Sequence, residues 1–245
     1  MKLAIENKIA LVLGASQGLG FAIAEALSQE GVKVILSARD SERLPAAAKK
    51  LGALGTIAGD LSKPGEGKRI VEEAIKKFGR VDILVTNAGG PPKGSFQETT
   101  SAQWIEGFQG LWMSAVESIQ AALPGMREQK WGRILMVTSV SAKEAMNGLT
   151  ISNGIRAGLL GLTKSISNEV AGAGITINAL LPGFTDTERL QELKIAKDKI
   201  TAQIPAGRIG RPEEFAALAT FLASEPAAYI TGQCIACDGG YLHGI

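Results

Sequence analysis

Ile9-Ala10-Leu11-Val12-Leu13-Gly14-Ala15-Ser16-Gln17-Gly18-Leu19-Gly20 is the stretch on which the fold turns. An apolar run stops at a glycine, two further glycines follow, and Phe21-Ala22-Ile23-Ala24-Glu25-Ala26-Leu27 then runs on at helical spacing. A buried strand, a tight glycine turn and a helix start come in the order that a dinucleotide-binding βα unit requires. Glycine lets the main chain approach a pyrophosphate closely, and the first N–H groups of the helix point at its oxygens. The spacing is G-x-x-x-G-x-G rather than the commoner G-x-G-x-x-G, and ordinary βα turns also use glycine. By itself the loop leaves nucleotide binding open.

Outward from this unit, strands and helices alternate without an obvious linker, repeat or low-complexity tract. Val32 to Ser37 reads as a second strand, Ser41 to Leu51 as its helix, and Ala53 to Ala58 as a third strand ending at Asp60-Leu61. Ile70, Val71, Ala74, Ile75 and Phe78 share one face of a long helix. Asp82 to Thr86, Arg133 to Thr138, Ile175 to Leu181 and Cys234 to Cys237 read as the later strands, separated by helices at about 101–130, 150–171 and 212–224. Repeated βα units of this kind predict an α/β Rossmann fold, a doubly wound parallel sheet of about seven strands with right-handed crossovers and helices on both faces. Residues 1–245 are read as one domain.

Composition excludes several function classes. A formal charge of +2 is too small to imply a nucleic-acid or acidic-membrane partner. No apolar run approaches membrane-spanning length, and Met1-Lys2-Leu3 leads into the first strand with no signal peptide, so a cytoplasmic protein is expected. Cys234 and Cys237 form a C-x-x-C, but residues three apart on a strand point to opposite faces and cannot share a ligand. The sole histidine is His243, which argues against both a metal site and a Ser-His-Asp hydrolase.

Taken together, these elements resemble the short-chain dehydrogenase/reductase family, and within it the 3-oxoacyl-(acyl-carrier-protein) reductase-like members. The likeness runs over nearly the whole chain: Gly14-x-x-x-Gly18-x-Gly20, Asp60-Leu61, Asn87-Ala88-Gly89, Ser139, Asn178-Ala179-Leu180-Leu181-Pro182-Gly183, Tyr229-Ile230-Thr231-Gly232 and Asp238-Gly239-Gly240. The resemblance implies a phosphate loop of Gly14, Ser16, Gln17, Gly18, Leu19 and Gly20. Asp60 would accept from the adenine amine, with Leu61 against the ring. Asn87-Ala88-Gly89 ends the fourth strand, beside the switch point where α/β sheets bind ligands. Pro182 and Gly183, with Thr185 and Thr187, resemble the segment that holds the nicotinamide amide, although the family usually has an aliphatic residue at Thr185. Leu13 likewise stands where a threonine is usual. Arg39, at the end of the second strand, falls where NADP-preferring relatives carry a basic residue to meet the 2′-phosphate. NADP, as NADPH, is therefore expected, with NAD as the alternative; Asp40 reads as a helix cap.

At the catalytic centre this chain departs from the family pattern. Relatives use Asn, Ser, Tyr and Lys. Ser139 is present, but the tyrosine position holds Ser152, the lysine position Arg156, and the asparagine position Leu111. A serine hydroxyl is a weaker acid than a phenol, and arginine stabilises an oxyanion but is a poor proton source. Tyr229 and Tyr241 are no evident replacement, and Lys143 and Glu144 are candidates for recruitment or else solvated loop charges. Two functions follow from the resemblance. One is an NADP-dependent oxidoreductase of 3-oxoacyl or small carbonyl substrates using Ser139, Ser152 and Arg156. The other is a degenerate relative that binds cofactor or acyl ligand without turnover. Loops 90–94 and 185–209 are expected to cover the pocket. A homotetramer is expected from the glycines Gly154, Gly158 and Gly161 on one helix face, from Trp112, Met113, Val116 and Ile119 on the preceding helix, and from pairing of the last strands near Asp238-Gly239-Gly240.

Overall fold

The computed structural model describes residues 1–39, 42–191 and 197–244. The opening stretch forms β1 (Ile9–Leu13), buried along its whole length, and turns at Gly14 into α1 (Gly18–Gln29). There follow β2 (Lys33–Ala38), α2 (Arg43–Leu51), β3 (Gly55–Ala58), α3 (Glu66–Phe78) and β4 (Ile83–Thr86). The second half carries α4 (Ser101–Phe108), α5 (Ser114–Gln129), β5 (Gly132–Val137), α6 (Thr150–Val170), β6 (Ile175–Pro182), α7 (Glu188–Gln191), α8 (Lys197–Thr201), α9 (Pro212–Leu222) and β7 (Cys234–Cys237). Each strand pairs in parallel with its neighbours in the order β3-β2-β1-β4-β5-β6-β7. The order reverses between β1 and β4, which opens a crevice beyond their carboxyl ends.

Alternation along the strands divides the core in two. Ala10 and Val12 face a cluster built with Ile23 and Leu27 of α1, Leu44 of α2 and Phe215 of α9. Leu11 and Leu13 face the opposite cluster, with Ile70 of α3, Ile119 of α5 and Leu159 of α6. A sheet so covered on both sides explains why its strands read as unbroken apolar runs.

Several boundaries differ from the sequence reading for reasons visible in the ladder. β4 is bounded at Ile83, although the Asp82 main chain still bonds to Ile9 and Arg133 while its carboxylate accepts from the Ile9 N–H at 2.7 Å and the Arg80 Nε at 3.0 Å. β2 runs to Ala38 and β6 to Pro182 because Ala58 and Cys237 extend their ladders. α2 starts at Arg43; the expected start at Ser41 and the cap at Asp40 lie outside the described residues. The helix expected over 101–130 is two helices joined by a π-helical segment, Gln109–Met113, a form that recurs at functional sites.

One interface argument is corrected. A Cβ at Gly158 would lie 2.6 Å from the Trp112 ring and one at Gly154 would lie 3.5 Å from Trp104. These glycines receive the chain's own tryptophans, so they are not a flat face left for another subunit. Only Gly161 has open space beyond it. Cys234 and Cys237 do lie on opposite faces of β7, Cys234 with Ala236 against Val140 and Cys237 with Ile235 against the α1 and α9 layer.

Candidate active site

Where β1 ends, Gly14 adopts a φ of 61°, the left-handed region that favours glycine. Its carbonyl accepts from the Asn87 Nδ2 at 3.1 Å, which ties the loop to the end of β4. A Cβ at Gly14 would stand 2.5 Å from the Asn87 carbonyl oxygen, so the close approach requires glycine on its own account. A Cβ at Gly20 would overlap the Gly14 carbonyl. Gly20 does not line the cleft; it permits the packing that shapes the loop. No side chain caps α1, and its first turn carries no acid, so the helix end keeps the positive character that suits an anion.

A cleft of about 590 Å³ opens beyond the carboxyl ends of β1 and β4. It is lined by Gly14, Ser16, Gln17, Gly18, Leu19, Arg39, Asp60, Leu61, Asn87, Ala88 and Gly89 at one end, and by Ser139, Ser152, Arg156, Pro182, Gly183, Thr185 and Thr187 at the other. Every site residue named from the sequence lies on this cleft except Gly20. Asp60 Oδ1 accepts from the Ser62 Oγ at 2.8 Å and the Ser62 N–H at 3.1 Å. Burial works against its charge, but the two Ser62 hydrogen bonds and the Arg39 guanidinium outweigh it and hold the carboxyl below its usual value. Arg39 thus stands beside Asp60 with its guanidinium over Gly89.

At the other end the sequence places two hydroxyls and a guanidinium. Ser139 Oγ accepts from the Ser141 N–H at 3.1 Å as β5 gives way to a short 3₁₀ turn. Ser152 Oγ accepts from the Arg156 Nε at 3.2 Å, one helical turn away in α6. Neither hydroxyl donates to a described residue, so each has a proton to offer a ligand in the cleft. Arg156 also donates through Nη1 to the carbonyls of Thr138 at 2.6 Å and Val137 at 3.3 Å. It is buried, with no carboxylate bonded to it among the described residues. Burial, helped by the charge of Arg189, lowers its pKa to about 10, which leaves it a cation at neutral pH.

The remaining candidates separate cleanly. Leu111 lines the cleft from the π segment and packs on Ile151 and Ile155, an apolar contact only. Tyr241 stacks edge-on against Phe184 without reaching the cleft, and Tyr229 is fully exposed. Lys143 and Glu144 are not on the cleft either. Glu144 is engaged by the C-terminal tail, accepting from the backbone N–H groups of His243 and Gly244, which lowers its pKa. Gly90, Pro91 and Pro92 cover one side of the cleft, and Thr187 to Leu190 another; residues 192–196 of the expected loop lie outside the described residues.

Residues 14–242 match the family model described as enoyl-(acyl carrier protein) reductase. The chain is 37% identical to the 3-oxoacyl-[acyl-carrier-protein] reductase FabG of Escherichia coli, over 96% of this chain and 97% of that protein. The chain belongs to the short-chain dehydrogenase/reductase family. Among solved members, the L-sorbose reductase of Gluconobacter frateurii, complexed with NADPH and L-sorbose, superposes with a TM-score of 0.94 at 31% identity, with both chains covered completely. A 3-oxoacyl (acyl-carrier-protein) reductase of Agrobacterium tumefaciens with NADP bound gives 0.92 at 32% identity, over 98% of this chain and 96% of that one.

Two basic cleft residues of this short-chain dehydrogenase/reductase escaped sequence reasoning. Arg43, in the first turn of α2, donates to the Gln17 side-chain oxygen and lines the cleft beside Arg39. Arg189, in α7, lies across Gly90. For Arg43 the available signal was its place just after a strand whose end already carried Arg39. Arg189 gave none, because only tertiary structure brings it over the cleft.

Proposed function

We propose that this chain is an NADPH-dependent reductase of 3-oxoacyl or other small carbonyl substrates, working with an altered catalytic centre. The observation that carries the reading is one cleft joining a glycine cradle to two hydroxyls with protons to donate. The cradle fits a dinucleotide: Gly14 and Asn87 fix the loop, the start of α1 is uncapped, and Asp60 and Leu61 stand where adenine is expected. Arg39, with Arg43 beside it, favours a 2′-phosphate over a ribose hydroxyl, and NAD is the weaker alternative. Pro182, Gly183, Thr185 and Thr187 would hold the nicotinamide end.

When bound, the cofactor supplies a hydride to the carbonyl carbon. Ser139 and Ser152 donate hydrogen bonds to the carbonyl oxygen, where negative charge develops. Arg156 holds Ser152 by its Nε and sets a positive charge behind that oxygen. Its Nη2 makes no hydrogen bond among the described residues and is available to the oxygen or to the ribose. In place of the phenol found in relatives, the proton comes from water in the cleft, because a serine is too weak an acid and Arg156 stays charged.

The absence of a phenol on the cleft favours a second reading, a relative that binds cofactor or acyl ligand without turnover. Loss of NADPH absorbance over a panel of 3-oxoacyl thioesters, ketoses and short ketones separates the two. Oxidation with any of them supports the enzyme, and cofactor binding with none supports the second reading. The same reading places the whole chain, as one domain, in the cytoplasm, where free thiols such as Cys234 and Cys237 persist. It also assembles as a homotetramer, supported by the apolar surface of Ile105 and Phe108 on α4 and by β7 at the sheet edge. A monomer mass in light scattering would refute the assembly.

A further inference from the structure

A charged network outside the cleft holds the main chain of one cleft residue. β3 is an edge strand, so no further strand lies beyond it to meet the Asp60 N–H. That N–H donates instead to the Glu66 Oε2 at 3.1 Å. The Asp60 carbonyl accepts from the Lys63 N–H at 2.9 Å, and Oδ1 accepts from Ser62. Only Oδ2 makes no hydrogen bond among the described residues, and Asp60 lines the cleft, so this oxygen is left for a ligand.

Glu66 opens α3 and is itself fixed. Arg69, one turn on, closes its fork on the carboxylate, Nε to Oε1 at 2.6 Å and Nη2 to Oε2 at 2.9 Å. Nη2 also donates to the carbonyl of Ala58, the last residue of β3, at 2.7 Å, and Nη1 donates to Glu73 at 2.7 Å. Arg69 above all, with the Asp60 N–H, holds the Glu66 carboxyl below its usual pKa, so it stays an acceptor at neutral pH. Gly59 allows the closure, since a Cβ there would lie 2.8 Å from the Arg69 Nη2 and 2.9 Å from the Glu66 Oε2. Exposed ion pairs of this kind add little to stability, and Ile70, Val71 and Ala74 already seat α3 in the core. What the network adds is a fixed place for Asp60.

We propose that Glu66, locked by Arg69, is a positioning residue for adenine recognition. Its hold on the Asp60 main chain sets the direction from which Oδ2 meets the exocyclic amine of the base. Glu66 does not line the cleft and acts only through Asp60. The inference rests on the dinucleotide reading of the cleft and adds to it a residue outside that cleft.

The test is calorimetric titration of the full-length protein with NADP and with its hypoxanthine analogue, in which a carbonyl replaces the exocyclic amine. The wild type is expected to bind NADP about 10- to 100-fold more tightly, as one hydrogen bond to a charged acceptor implies. Glu66→Ala should shrink that preference below about threefold, chiefly by weakening NADP. Glu66→Gln, whose amide oxygen can still accept from the Asp60 N–H, should keep most of it. A Glu66→Ala variant with the wild-type preference would overturn the role. So would equal weakening of both dinucleotides, which a merely structural residue would produce, or loss of the preference in Glu66→Gln. Wild type that binds both dinucleotides equally removes Asp60 from adenine recognition, and Glu66 with it, but leaves the dinucleotide reading standing. Binding of neither sinks that reading and the inference together.

Discussion

Replacing Arg156 by methionine, which is close in length but uncharged, separates catalysis from stability at this position. Relative to the unfolded chain, a guanidinium whose pKa burial lowers to about 10 carries a penalty on the order of 3 kcal/mol at neutral pH. Methionine removes that penalty. It also leaves the carbonyls of Val137 and Thr138 without this donor, at about 1–3 kcal/mol for each group that finds no other partner. The two effects oppose each other, so the net change should stay within about 3 kcal/mol, roughly 6–12 °C in Tm for a chain of this length. Rate should respond far more. Loss of one oxyanion-stabilising group costs about 10²- to 10³-fold in kcat, read as NADPH oxidation on the best carbonyl substrate. The sign of the pH effect follows from the direction of the shift. From about pH 10 up to the ordinary arginine range, native protein binds fewer protons than unfolded chain, so the penalty is complete below pH 10 and fades above it. Wild type measured against Arg156→Met should therefore show a flat stability difference through neutral pH that moves in favour of wild type in strong alkali. A Tm loss of more than about 12 °C, or an unimpaired rate, would refute the reasoning.

Arg39→Ala and Arg43→Ala should each weaken NADPH by about 10- to 100-fold in calorimetry while leaving NADH nearly unchanged, because each removes a charge-assisted contact to the 2′-phosphate. Gly20→Ala forces a methyl into the Gly14 carbonyl and should lower stability by about 1–3 kcal/mol and abolish NADPH binding together, measured by thermal unfolding and calorimetry. Ser152→Tyr combined with Arg156→Lys places a phenol, a stronger acid than a serine hydroxyl, on the cleft and should raise carbonyl reduction at least tenfold. A double variant that folds and binds NADPH but gains no rate would place the limiting step elsewhere.

Strand positions were legible because a sheet covered on both faces demands continuous apolar runs, and Ile9–Leu13, Ile83–Thr86 and Cys234–Cys237 announce themselves that way. The cleft was legible for the same reason that it exists: Gly14, Asn87 and Pro182-Gly183 are strand ends, and strand ends at a switch point form the crevice. Contacts between distant segments were not legible. Gly154 and Gly158 look like an open helix face until Trp104 and Trp112 are seen to fill them. Glu144 looks like a free loop charge until the tail around His243 closes on it. Gly20 reads from its spacing as a phosphate-loop residue, and only the folded loop shows that a Cβ there would meet the Gly14 carbonyl.

The two halves of the cleft place different demands on the chain, and this bears on the choice between enzyme and ligand binder. The cradle depends on backbone geometry, so a wrong side chain at Gly14 or Gly20 destroys it. The catalytic half depends on hydroxyl protons and a nearby positive charge, which several residue sets can supply. Ser152 and Arg156 remain bonded to each other one helical turn apart, with a hydroxyl proton left for a ligand and a cation kept buried. A site with no remaining use for charge could replace that buried arginine by an apolar residue at little cost in stability. Leu111 shows that apolar packing is tolerated a short way off, where it fills space against Ile151 and Ile155. A buried cation retained beside two hydroxyl donors argues for a site that still meets an oxygen carrying negative charge. Turnover of a carbonyl compound, whose oxygen gains negative charge as it is reduced, is the reading that uses all three groups.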